Sequence, residues 1–146
     1  MATTRPALER KLFTQESANA ALPLVRAIVR DICELAGELR DRQERLSRVQ
    51  PPPRGALGKA YAEELEQARA DAEREQERLL EYIQELNELG VELKDQNIGL
   101  VDFPSRLDGR IVYLCWRLGE PEVAFWHEID AGYGGRQRLA TRAKKP

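Results

Sequence analysis

A chain of 146 residues with 42% apolar and 33% charged side chains has the length of one domain, a real core and an unusually charged surface. Its 23 basic and 25 acidic residues leave a net charge of −2, which excludes a uniformly basic nucleic-acid coat and an acidic disordered chain. The longest apolar runs, 20–25 and 111–116, are too short for a membrane span or signal-peptide core, and two cysteines make no disulfide framework; a cytoplasmic chain with no membrane partner is expected.

The first helix starts at Thr14, which can cap the free amides of the next turn, with Glu16 at the positive end and Phe13 placed to staple onto Ala18. Pro23 removes one backbone donor and should bend the helix or split off a short first segment. Val25, Ile28, Ile32, Leu35, Leu39, Arg42, Leu46 and Val49 then form a heptad seam, and Pro51, Pro52 and Pro53 end it. A second seam runs through Leu57, Tyr61, Leu65, Ala68, Ala72, Glu75, Leu79, Tyr82, Leu86 and Leu89 to a left-handed cap at Gly90. Two helices of about 50 Å joined by a short link predict a coiled-coil-like antiparallel hairpin over 14–90, with its Pro-rich tip at 50–56.

Two features of the hairpin point to self-association. Leu24, Ala27, Ile28, Val29, Leu80 and Ile83 exceed what one seam and one sheet face can cover. Arg42 and Glu75 are expected to lie about a third of the hairpin apart, each seeking a partner elsewhere. A homodimer built on the helices follows.

Beyond Gly90 the period changes. Residues 101–103, 111–118 and 123–129 are short, β-branched and aromatic, with turn signals at Asp108-Gly109 and Gly119-Glu120-Pro121. These predict a three-stranded antiparallel meander within 91–130, so the fold class is α+β and residues 1–146 form a single domain. Two-residue turns at 108–109 and 120–121 put Val101, Phe103, Val112, Leu114, Trp116, Leu118, Val123, Phe125, His127 and Ile129 on one face. The other face receives Asp102, Tyr113, Cys115, Arg117, Trp126 and Glu128. Residues 131–146 read as a Gly-rich loop and a basic tail of net +5, against −7 over 57–92. That acidic helix makes nucleic acid an unfavourable partner.

Several strings carry a family resemblance. Phe13-Thr14-Gln15-Glu16-Ser17-Ala18-Asn19 with Leu22-Pro23, Gly90-Val91-Glu92-Leu93-Lys94-Asp95, and Gly99-Leu100-Val101-Asp102-Phe103-Pro104 are three of them. Tyr113-Leu114-Cys115-Trp116-Arg117, Gly119-Glu120, Trp126-His127 and the loop from Gly132 to Arg136 complete the set. Over about residues 11–139 the chain resembles the bacterial family of domain of unknown function 2203. The resemblance implies a variable hairpin tip and supplies no activity, cofactor or site residue.

The residues that a plain cover over the helices does not require are the candidates for function. Asp102, Tyr113, Cys115, Arg117, Trp126 and Arg136 are the expected ligand-binding set, and His127, Glu128 and Asp102 the metal candidates. No Cys-x-x-Cys or His-x-x-x-His spacing supports a metal, and the register above separates His127 from Asp102 and Glu128. Cys115 is left without a histidine on its face, which disfavours nucleophilic catalysis. If Asp102 and Glu128 form a solvated face, truncating either should cost little stability. The loop around Gly134-Gly135 lacks the ending of a phosphate cradle. Two functions remain. One is a non-enzymatic interaction or scaffold protein that docks an unidentified protein through its hairpin and β head; the alternative is a small-ligand or metal-binding protein, an enzyme included, that uses the polar sheet face. The sequence leaves the cofactor unknown.

Overall fold

The computed structural model of the protein describes residues 11–48 and 54–140. The Pro51–Pro53 tip and the tail residues Arg142, Lys144 and Lys145 lie outside them. Two long helices, α1 (Gln15–Ser47) and α2 (Ala56–Glu88), are followed by an antiparallel sheet of β1 (Glu92–Asp95), β2 (Leu100–Leu107), β3 (Arg110–Arg117), β4 (Phe125–Glu128) and β5 (Gln137–Arg138), in that spatial order. The α+β class and the helical hairpin are as expected. The sheet has five strands and not three: β1 follows the helix cap with only Leu93 apolar, and β5 lies in what reads as a basic tail.

α1 opens with a capping box: Thr14 Oγ1 accepts from the Ser17 amide at 3.0 Å, and Ser17 Oγ accepts from the Thr14 amide at 2.9 Å. Phe13 is buried with Ala18, and it is also tied to the sheet. Its amide donates to the Pro104 carbonyl at 2.7 Å, and its ring meets Phe103 edge-on at 5.1 Å. Pro23 lies on the exposed side, and the helix runs through it without splitting. α2 ends as predicted, with Gly90 at φ 91 and the Val91 amide turned back to the Leu86 carbonyl.

The seam differs from expectation at its polar positions. Arg42 and Glu75 meet in a forked ion pair, with Nη1 2.7 Å from Oε1 and Nη2 3.3 Å from Oε2. The helices are staggered, which brings these two residues level. A groove between the helices is lined by Leu46 and Ser47 together with Arg69 and Ala72, so the end of α1 lies against the interior of α2 and not against its first turn. The expected apolar surplus is also smaller. Ile28 and Val29 are buried and Ile83 is partly buried against the core, which leaves Leu24 and Leu80 as the large exposed residues of that set. The sheet covers the hairpin base more fully than three strands would.

The first β-hairpin has the predicted register, from Leu100 opposite Arg117 to Leu107 opposite Arg110. It closes through Asp108 and Gly109, both at positive φ. The second does not. Val112 pairs with Glu128, Tyr113 with His127, Leu114 with Trp126 and Cys115 with Phe125, one residue away from the expected register. The link between β3 and β4 is not a two-residue turn. It is pinned to α1 at Val123, whose amide donates to Asn19 Oδ1 at 2.7 Å and whose carbonyl accepts from Asn19 Nδ2 at 3.3 Å. On the helix side Val101, Phe103, Leu114 and Trp116 form the core with Val25, Val29, Ile32, Leu79 and Leu86. Gly99 is required there: at φ 72, a Cβ would stand 2.7 Å from Leu118 Cβ. Among the described residues no helix is long and apolar enough to cross a membrane.

Candidate functional site

Directly paired residues share a face of a sheet. On the side away from the helices, one row therefore reads Glu92, Asp102, Cys115, Phe125 and Arg138, and the next reads Pro104, Tyr113 and His127. The one-residue change in register moves His127 from the helix side to this one. It also carries Trp126 and Glu128 the other way, against expectation. Trp126 packs on the core, and Glu128 pairs with Arg110. Glu128 is thereby removed from the metal candidates, and Cys115 gains the histidine that its face was expected to lack.

Asp102 from β2, Cys115 from β3 and His127 from β4 converge, with one ligand atom of each lying within 4.8 Å of the others. This is no solvated face: Asp102 and His127 are 2% exposed and Cys115 is 0% exposed. The Glu128 carbonyl can only accept, so the His127 Nδ1–H donates to it at 2.7 Å. That bond directs Nε2 at the Asp102 carboxylate, 3.0 Å from both oxygens. A bare nitrogen lone pair facing two carboxylate oxygens is repulsive. A proton or a cation must lie between them.

Burial pushes the Asp102 carboxyl above its ordinary range, and the His127 ring and the Lys94 ammonium, 4.0 Å from Oδ2, offset only part of that. Burial, with Asp102 beside it, pushes the Cys115 thiol up to about 12, against a weaker opposing pull from Arg136. Without a metal, Cys115 is therefore a protonated thiol and a poor nucleophile. Coordination to a divalent ion removes that proton outright.

The cover over the three groups is built from side chains. Tyr113 leans its ring on His127 at 5.6 Å and donates from its hydroxyl to Glu92 Oε1 at 2.9 Å, while Lys94 sits 4.6 Å above the Tyr113 ring. Arg136 lies over Phe125, with its guanidinium 4.1 Å from the ring centroid, and forks onto Glu120 at 2.6 and 2.9 Å. Arg117, expected in the ligand set, is exposed and donates to the Tyr133 hydroxyl at 3.2 Å. It does not reach the cluster. Glu92 was only one of several acidic ligand types near the sheet in the sequence, Phe125 was expected on the helix side, and Lys94 and Glu120 had no functional reading. Glu92 and Lys94 carried a signal in their alternation directly after the Gly90 cap, whereas Glu120 read only as a turn residue.

A family model described as an uncharacterized conserved protein, DUF2203, matches residues 11–139. No curated protein and no solved structure matches the chain.

Proposed function

Since the chain belongs to the DUF2203 family, whose description names no activity, we propose a function from the buried cluster: the protein binds one divalent transition-metal ion, of the zinc class, through Asp102, Cys115 and His127. The observation that carries this reading is the orientation of His127, whose Nδ1–H is committed to a backbone carbonyl while Nε2 faces the Asp102 carboxylate. Metal-binding histidines are fixed in this way, with the distal N–H held by a carbonyl and the other nitrogen presented to the ion. Ligand atoms around a tetrahedral zinc, with bonds of about 2.0–2.3 Å, stand roughly 3.3–3.7 Å apart. Three groups within 4.8 Å of one another need only small movements to reach that spacing. A mixed sulfur, nitrogen and oxygen set suits zinc or cobalt and disfavours magnesium and calcium, which take oxygen ligands.

Burial favours a structural role for the ion. Three protein donors leave one coordination position on the ion, but a catalytic ion needs that position to be reached by substrate, and these three groups are almost wholly covered. The ion would clip β2, β3 and β4 together on the face that no helix covers. The β head then serves as a rigid, non-enzymatic base for the projecting hairpin, within one domain, and two free thiols suit a cytoplasmic setting.

Purified chain titrated with cobalt should take up one equivalent and develop a sulfur-to-cobalt absorption band. Cys115→Ser should abolish that band and weaken binding by roughly a hundredfold or more. The absence of stoichiometric uptake by the wild-type chain would overturn the reading.

Association through the hairpin is a second reading, and it draws on Leu24, Leu57 and Leu80, which are 54%, 70% and 56% exposed. As a homodimer the chain should scatter light with twice its 16.7 kDa mass at micromolar concentration; a mass of one chain removes this reading.

A further inference from the structure

Arg136 is the one described residue with a buried side-chain nitrogen that has no hydrogen-bond partner, its Nε. Every other part of this guanidinium is engaged. Nη1 and Nη2 fork onto Glu120, Nη2 also donates to the carbonyl of Cys115 at 3.3 Å, and the guanidinium carbon lies 4.1 and 4.8 Å from the ring centroids of Phe125 and Tyr133. Phe125 is the direct cross-strand partner of Cys115, so the guanidinium lies beside the Cys115 side chain on the same face.

A buried N–H without an acceptor is costly, and it needs an acceptor in the working state of the protein. A protonated thiol is a weak acceptor, whereas a metal-bound thiolate is a good one. We infer that Arg136 is a positioning residue for the metal site, its Nε–H being the hydrogen bond that the Cys115 thiolate accepts once an ion is bound. The inference rests on the metal-binding reading above. Glu120 holds the fork that keeps Nε in place, and the Phe125 and Tyr133 rings pack against the guanidinium. Arginine is required because lysine carries neither the fork nor a fixed third donor.

The test uses cobalt as the probe, on the full chain. Arg136→Lys should bind cobalt about 10–100-fold more weakly than wild type. Its sulfur-to-cobalt band should move to longer wavelength, because a thiolate that loses a hydrogen bond gives up its electrons more readily. A merely structural role would weaken binding without moving the band. Glu120→Gln keeps Arg136 and loosens its anchor; it should shift the band in the same direction by a smaller amount, and it serves if Arg136→Lys does not fold. A band at the wild-type position in whichever variants fold, with affinity within about twofold, overturns the inference while leaving the metal site standing. A wild-type chain that takes up no cobalt removes the metal-binding reading itself, and the inference with it.

Discussion

Asp102→Ala is expected to destabilise the metal-free protein by about 3 kcal/mol, read as a lower midpoint of urea unfolding in the presence of a chelator. Asp102 is 2% exposed, and its carboxylate is the acceptor toward which His127 Nε2 is directed. Truncation strands that nitrogen in a site closed to water and leaves a small void. Breaking a buried pair costs about 3–5 kcal/mol, and the lower end is expected here. The pair Asp102→Leu with His127→Phe should recover most of the loss, since well-packed apolar groups replace a buried ionic pair at little or no cost. That recovery would show the cluster to be retained for something other than stability. A loss below about 0.5 kcal/mol for Asp102→Ala would instead mark a solvated surface residue and remove the buried site.

Trp116→Ala is expected to cost about 3–5 kcal/mol, the largest effect of any single truncation considered. Trp116 is fully buried on the helix side of β3, and its indole N–H donates to the Glu120 carbonyl at 3.0 Å. Its loss opens a void between sheet and hairpin and also frees the segment whose Glu120 carboxylate holds Arg136. Trp116→Phe keeps most of the ring and loses the hydrogen bond, so roughly 1–2 kcal/mol is expected. Circular dichroism during thermal unfolding measures both variants. Near-equal losses for the alanine and phenylalanine variants would mean that the hydrogen bond, and not the packing, carries the effect.

The helical hairpin was legible because its determinants are local. Thr14 caps, Gly90 terminates, and the apolar seams repeat at helical spacing. The β2–β3 register was legible for the same reason, since Asp108 and Gly109 determine the turn between directly paired residues. The candidate site was not, and the failure traces to one residue of register. Gly119-Glu120-Pro121 has the composition of a tight turn, yet the chain continues to Val123, where the Asn19 side chain of α1 holds it. Because side chains alternate across a strand, that slip exchanged His127 with Trp126 and Glu128 between faces, and it dissolved the Asp102, Cys115 and His127 cluster on paper. The Arg42–Glu75 pair was hidden similarly. Heptad spacing sets which face of a helix is buried and leaves the axial offset between two helices undetermined.

The Asn19–Val123 clasp also orders events in time. Asp102 and Cys115 face one another across a hairpin whose two-residue turn can close within about 1–10 microseconds. His127 joins them once β4 pairs with β3, and the link before β4 is held by a contact spanning 104 residues of sequence, which closes late. Until it closes, β4 is held by strand pairing alone, and His127 is the least firmly placed of the three ligands. Tight capture waits for the hairpin base, the sheet and their connection to be in place together, so metal retention would mark chains that have finished folding.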